Sequence, residues 1–350
     1  MGSSPTDNGR SPTLIDVARV AGVSLATAGR VLREPETKVA PDLVERVRRA
    51  ADELHYVPNI LARSLRGGTP TTVGLIVGDM LDPYYGTIAE AVTEAAESEH
   101  RMVAIVSNMQ RSAELEIKQC QQLWEHRVSG LILAGGGFDQ QTHFEAFRTT
   151  IERIRGSGVS VASLSPRGID MPTFCVDNLR VGEIMAETVL QAGHRRVGII
   201  MGPYRNEVTT LRAEAAKRTV ASNGGSFVLS YGEYTAESGA TEAMRMHSED
   251  PSITAFVVGG DAMAVGVVSG LAGRGLSVPA DISVVSAGRA RAGRWSNPAL
   301  TTVDLRLEEC ARLALDHVAS RHSGATSDEG AGVVLSPRLV VGESVAPVPQ

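Results

Sequence analysis

TLIDVARVAGVSLATAGRVLR, residues 13–33, is the stretch from which the rest of the chain is read. It has the pattern of two short helices around a tight turn. Thr13 is placed to cap the first, whose apolar face is expected to carry Ile15, Val17, Ala18 and Val20. Gly22 supplies the bend, because a residue without Cβ enters left-handed conformations at little cost. Ser24 follows two residues later as a cap for a second helix running to Leu32. Helix, glycine-containing turn and helix is the arrangement that reads DNA in helix-turn-helix proteins.

Working outward, Pro41 opens a third helix with Leu43, Val44, Val47, Ala50, Ala51 and Leu54 at helical spacing. Three such helices can close a small core over residues 13–57, and Tyr56-Val57-Pro58-Asn59 ends it. On the other side, residues 1–12 are rich in Ser, Pro, Gly and Asn and are expected to be disordered. Residues 58–69 contain a short, partly basic helical segment, Ile60–Arg66, before Gly67-Gly68-Thr69-Pro70. A helix this short is not stable alone in water, so it is either a fraying linker or a segment that folds on a partner.

The chain has 350 residues, which suggests two or three domains. Its formal charge of −6 does not favour a nucleic-acid binder, but the distribution is uneven. Residues 1–66 carry 10 Lys/Arg against 8 Asp/Glu, and the remainder 24 against 32. A mildly basic head on an acidic body permits a DNA-binding module without requiring one. Cys120, Cys175 and Cys310 form no CxxC pair or Cys/His cluster, so neither a disulfide framework nor a metal site is supported. Three reduced cysteines fit a cytoplasmic protein. No apolar run approaches the ~18 residues of a membrane helix, and MGSSPTDNGR does not read as a signal peptide.

From Thr72 onward apolar strands alternate with helical stretches. Strands are expected at Val73–Val77, Met102–Val106, Gly130–Leu133, Val159–Leu164, Val197–Met201, Ile253–Val258 and Ile282–Val285. Helices are expected between them, including Thr87–Ser98, Glu114–Trp124, Gly182–Leu190 and Ala262–Gly273. Uninterrupted apolar strands with intervening helices indicate α/β architecture with doubly wound parallel sheets. Two similar lobes with a cleft at the carboxyl ends of their strands are the expected outcome.

The head together with YVPNILARSLRGG, TVGLIVGDMLDPYYG, VSGLILA, VDN, GHRRVGIIMG and PADISVVS resembles the lactose/galactose-repressor (LacI/GalR) family from about Thr13 to Val345. The resemblance implies a bacterial transcription regulator, a repressor more often than an activator. It implies a helix-turn-helix domain (13–57), a hinge helix and linker (58–69), and a two-lobed periplasmic-binding-protein-like core (70–350). With three crossovers, one lobe is expected to comprise 70–165 and 295–325, and the other 166–290 and 326–350. No terminal heptad helix is seen, so a homodimer on a near-palindromic operator of double-stranded DNA is expected.

By that resemblance Leu25, Ala26 and Arg30 are the base readers. Arg30 can donate two hydrogen bonds to guanine, worth roughly 1–3 kcal/mol of discrimination. Thr13, Ser24, Thr27 and Arg33 are candidate phosphate contacts. Leu25 could instead pack in the core of the head. Gly29 stands where the family usually has Ser, and a glycine inside a helix costs roughly 1 kcal/mol relative to alanine. In the hinge, Leu65 is expected to wedge between base steps in the minor groove, with Ala62 allowing close approach and Arg66 reaching phosphate.

For the cleft the candidates are Asp79, Tyr84, Tyr85, Ser165, Arg212, Tyr234, Asp261 and Arg289. Tyr84 or Tyr85, and Tyr234, can stack on a ring or pack the lobes. Arg212 matches the family's effector-holding arginine. Sugar-responsive members often carry Asp at Ser165, Asn at Gly260 and an acidic turn where Ala287-Gly288-Arg289 stands. Loss of those groups, with Arg289 adding positive charge, points to a small-molecule effector that is sugar-derived or anionic rather than a neutral sugar. A protein without small-molecule control is the other reading of the same departures. Gly135-Gly136-Gly137 lacks the spacing of a phosphate loop and reads as a strand-end turn. His194 in GHRR needs no catalytic role.

Two rival classes remain. A solute-binding or sensor protein is disfavoured by the helix-turn-helix, and an enzyme by the lack of a nucleophile elbow, metal cluster or dinucleotide fingerprint. No cofactor is expected.

Overall fold

The computed structural model describes residues 12–32, 39–57, 72–135, 141–204, 206–288, 296–320 and 332–348. The chain divides into two compact units, residues 1–69 and 70–350. The expectations for residues 1–11, Arg33, the hinge (Ala62, Leu65, Arg66), Gly136, Gly137 and Arg289 lie outside the described residues.

The first unit holds α1 (Leu14–Ala21), α2 (Leu25–Val31) and α3 (Pro41–Glu53). Thr13 caps α1 in a capping box with Asp16: its hydroxyl donates to Asp16 Oδ2 at 2.7 Å, and its amide N–H to the same oxygen at 3.0 Å. Gly22 adopts φ 61°, the left-handed cap required to stop α1. Val17, Ala18, Ala21, Ala28, Val31, Val47, Ala50 and Ala51 form the core. The apolar face differs from expectation at two positions, since Ile15 and Val20 are exposed. Leu14, Val17, Ala18 and Ala21 recur at helical spacing and share the inward face, whereas Ile15 and Val20 point away from it.

The second unit is built on two sheets. The smaller has the order β2-β1-β3-β4, all parallel, from β1 (Thr72–Val77), β2 (Val103–Asn108), β3 (Gly130–Leu133) and β4 (Ser160–Ser163). It is flanked by α4 (Pro83–Ser98), α5 (Ala113–Glu125) and α6 (Gln141–Gly156). After β5 (Cys175–Val176) come α7 (Asn178–Gln191), β6 (Arg196–Met201), α8 (Glu207–Ser222), β7 (Ser226–Tyr231), α9 (Ala236–Glu249), β8 (Ala255–Val258), α10 (Asp261–Ala272), β9 (Ser283–Gly288) and β10 (Thr301–Asp304). With β12 (Arg338–Val340) these strands form the larger sheet, ordered β12-β10-β9-β8-β6-β7, in which only β12 runs antiparallel to its neighbour.

The crossover positions refine the expected lobes. Residues 295–325, expected in one lobe, are divided: β10 pairs with β9 and β12 in the larger sheet. Only after Leu305 does the chain return, as α11 (Leu307–Ser320), to pack on α4, β3 and β4. It crosses back through β11 (Val334–Leu335), which pairs with β5. Thr301–Asp304 is buried throughout, as an interior strand of a parallel sheet must be, and that burial fixes it there. Edge strand β7 had no counterpart in the expected elements, because Ser226 and Ser230 interrupt its apolar run.

Candidate functional site

In the head, α2 is only seven residues long and begins at Ser24, whose Oγ accepts from the Thr27 amide at 3.1 Å and lies 2.8 Å from Thr27 Oγ1. Ala28 and Val31 anchor it in the core, which turns Leu25, Ala26 and Arg30 to the surface. Leu25 is 41% exposed, so it does not pack in the core. The Arg30 side chain makes no hydrogen bond or ion pair with the described residues, and its guanidinium is available to a partner. Thr13, by contrast, has its hydroxyl committed to Asp16, so a phosphate contact through that hydroxyl would compete with the cap.

In the core, a cleft opens where the loops after the parallel strands converge. Its walls come from Asp82 to Tyr85 after β1, Ala134 and Gly135 after β3, Ser165 after β4, Asn206 at the N-cap of α8 and Arg212 within it, Tyr234 after β7, and Gly260 and Asp261 after β8. Carboxyl ends of parallel strands are where α/β sheets leave such crevices. Of the cleft candidates within the described residues, Tyr84, Tyr85, Ser165, Arg212, Tyr234 and Asp261 are thus brought together. Asp79 is not. It sits outside the lining, accepts from the Leu81 amide at 3.0 Å and faces Arg111 at 3.6 Å. Asp82 lines the cleft instead, because it is the N-cap of α4, accepting from the Tyr84 amide at 2.9 Å.

Three features set the chemistry of this cleft. Arg212 is 4% exposed; its Nε donates to Asn178 Oδ1 at 2.9 Å and its Nη1 reaches the Gly259 carbonyl at 3.4 Å. No carboxylate lies within ion-pair distance of it among the described residues. A buried cation without a counter-charge is costly and is eased by an anionic or electron-rich ligand. Second, the Ser165 Oγ is buried and has no hydrogen-bond partner, so a donor or acceptor is wanting beside it. Third, the carboxylates are occupied. Asp82 pairs with Arg111 at 2.9 Å, and burial pushes its carboxyl above the usual range despite the Tyr84 amide and Arg111. Asp261 Oδ1 accepts from Ser286 Oγ at 2.5 Å and from Thr302 Oγ1 at 2.9 Å.

The aromatic walls are equally fixed. Tyr84 and Tyr85 meet edge to face at 4.9 Å, and burial raises both phenol pKa values. Tyr234 donates to or accepts from Thr209 Oγ1 at 3.0 Å, and the Arg111 guanidinium lies 5.5 Å from its ring centre. A Cβ at Gly202 would stand 2.1 Å from this ring, and one at Gly260 3.0 Å from it. Gly260 therefore lacks the amide of sugar-responsive members because Tyr234 is seated on it. Gly288 is explained in the same way: a Cβ there would come within 2.4 Å of Asp261 Oδ2.

Several of these residues were beyond sequence reading. Asn178, Thr209, Ser286, Thr302 and Arg111 are scattered through the chain and carry no motif. Arg111 had one signal, its place at the carboxyl end of β2, where it takes φ 55°. Gly135 is a strand-end residue of the cleft, as expected. His194 is fully buried and structural, its Nδ1 paired with Thr254 Oγ1 at 2.9 Å and its Nε2 near Ser283 Oγ at 2.9 Å and the Ala346 carbonyl at 3.0 Å. No helix among the described residues is long and apolar enough to cross a membrane.

Comparison with known proteins gives a consistent result. Residues 13–59 match the model described as bacterial regulatory proteins, lacI family, and residues 186–345 match a periplasmic binding protein-like domain. A relative described as HTH-type transcriptional repressor PurR, from Proteus mirabilis (strain HI4320), is 30% identical over 349 residues, covering 96% of this chain and 98% of its own. A transcriptional regulator CelR–cellobiose complex is 26% identical with a TM-score of 0.69, covering 95% of this chain and 99% of that one. The Lac repressor dimer bound to operator and the anti-inducer ONPF shares the fold, with 24% identity, a TM-score of 0.80, and coverage of 96% and 100%.

Proposed function

Because the chain belongs to the lacI family of bacterial regulatory proteins, and so is a DNA-binding transcriptional regulator, we propose that it is a cytoplasmic repressor whose operator binding is set by a small molecule in the cleft. It acts by binding rather than by catalysis. Leu25, Ala26 and Arg30 read bases, while Ser24, Thr27 and the start of α1 at Thr13 hold phosphates. A homodimer presents two such heads to a near-palindromic operator. The observation that carries this reading is Arg30, its side chain exposed and unpaired among the described residues, beside the exposed Leu25 and Ala26 on a helix that Ala28 and Val31 anchor in the core. Selection of duplexes from a random-sequence pool by the full chain is the test. Enrichment of a near-palindrome by the native chain, and its loss with R30A, is expected. A pool that stays random contradicts the proposal and leaves a ligand-binding protein without a DNA site.

The ligand that best fits the cleft is anionic or rich in hydrogen-bond acceptors. Arg212 supports this through its buried, uncompensated charge, and Ser165 through its unpartnered hydroxyl. Tyr84, Tyr85 and Tyr234 supply flat apolar surface for the ligand's body. Occupancy then biases the relation between the halves of the core, which is how a ligand shifts a two-state equilibrium: by binding one state better.

A further inference from the structure

We infer that Arg46 is a positioning residue for DNA reading: from α3 it clamps the turn that aims the reader helix. The turn of this motif leaves carbonyls without partners. The Gly22 amide donates to Ala18 and Arg19 carbonyls, and the Val23 amide to Ala18 at 3.0 Å, so neither amide serves the carbonyls nearer the turn. The carbonyls of Ala21 and Gly22 remain. Arg46 Nη2 donates to both, at 2.5 Å and 3.3 Å. A cation at a helix C-terminus is also favoured by the helix dipole.

Gly22 and Arg46 fit one another. A Cβ at Gly22 would lie 2.7 Å from Arg46 Nη2, so glycine serves the left-handed φ of 61° and also admits the guanidinium. Next to Arg46, Val47 is fully buried against α1 and α2, which fixes the root of the arginine. Arg46 itself is exposed along its length, and it makes no ion pair among the described residues. Its neighbour Arg49 differs in pairing with Glu45 at 2.6 Å on the outer face.

The clamp matters because α2 cannot hold its own direction. It has seven residues with Gly29 in its interior, too short to be stable alone. Its entry is held at two points, the Ser24 cap and the Arg46 clamp, separated by Val23 alone. Release of one point lets the reader face tilt while Ala28 and Val31 keep it folded. Base contacts, which need fixed angles, suffer more than phosphate attraction, which does not.

The test uses the full chain, an operator obtained by random-sequence selection, and a scrambled duplex, each titrated across a salt series with R46Q and R46K. R46Q is expected to weaken operator binding by about tenfold while scrambled-duplex binding stays within about twofold and the slope of log K against log salt is unchanged. R46K, which lacks the fork, is expected to fall between the native chain and R46Q. Equal loss on both duplexes with a slope smaller by about one would make Arg46 a phosphate contact and overturn the inference. Equal loss with an unchanged slope would mean an unfolded head, and no loss would mean an idle arginine; either also overturns it.

Discussion

The reader helix and the cleft are both binding surfaces, and they are built in opposite ways. α2 presents exposed side chains, with Arg30 free of any partner among the described residues, on a helix held by a cap and a few alanine-sized contacts. The cleft presents buried polar groups: Arg212 is held by Asn178 and Asp261 by Ser286 and Thr302, residues far apart in the chain, while the Ser165 hydroxyl stands without a partner. A surface that meets a highly charged polymer can leave its groups in water until contact. A site for one small molecule needs its groups placed beforehand, and must carry their desolvation cost in the empty state.

That contrast sets an order of expected effects. The largest belongs to the core. Arg167 and Glu116 form an ion pair at 2.6 Å with both side chains 3% exposed, and Arg167 also donates to the Gly135 carbonyl in the cleft wall. R167M is expected to lower the stability of the core by about 3–5 kcal/mol in denaturant titration, since it strands a buried carboxylate. The double variant with E116L should recover most of that loss. Recovery of nothing would mean that the pair is not what the single substitution breaks.

Next comes His194. H194A takes the ring from the Thr254 hydroxyl and from Ser283 and Ala346, which keep their bonds to each other, and it empties a fully buried position, at an expected cost of about 2–3 kcal/mol. Burial lowers the His194 pKa from 6.5, so the neutral ring is the native form. The unfolded chain then takes up a proton before the folded one. The stability this neutral ring contributes is therefore full above about pH 6.5 and is lost as pH falls below it. H194Q should flatten that stretch of the stability–pH curve, and an unchanged curve would assign the acid sensitivity elsewhere.

The head gives smaller effects, and they separate binding from folding. R30A is expected to cost about 1–3 kcal/mol of discrimination between operator and scrambled duplex, with no change in unfolding temperature. T13A should behave in reverse, lowering the stability of the head by about 1 kcal/mol through loss of the cap while base preference is kept. If T13A altered base preference as R30A does, the head could not be divided into readers and supports.

The same contrast explains what the sequence made legible. Local chemistry was readable: the Thr13 cap, the Gly22 turn, the Ser24 cap and Pro41 all act within a few residues of themselves, and each helix of the head begins where they place it. Parallel strands were readable from their apolar runs, apart from β7 and the late strands. The cleft was readable only where a motif or a resemblance pointed, as for Arg212 and Tyr84. Nothing in the order of residues says that Asp261 meets Ser286 and Thr302, or that Tyr234 rests on Gly202 and Gly260, because those contacts exist only once the sheet is assembled. Asp79 was expected in the cleft and Asp82 lines it instead for the same reason: which carboxylate of one loop turns inward is decided by the cap of α4.

The measurement that bears most directly on the whole account is operator affinity in the presence of matched neutral and anionic compounds, for the native chain and for R212Q. Glucose and glucuronate, galactose and galacturonate, and each sugar with its phosphate ester form suitable pairs. At least one anionic member is expected to shift operator affinity by about tenfold or more, within the usual range of coupling between sites, with its neutral partner inactive and R212Q unresponsive. A neutral sugar that shifts the native chain and R212Q alike would contradict both the role of Arg212 and the ligand class drawn from it.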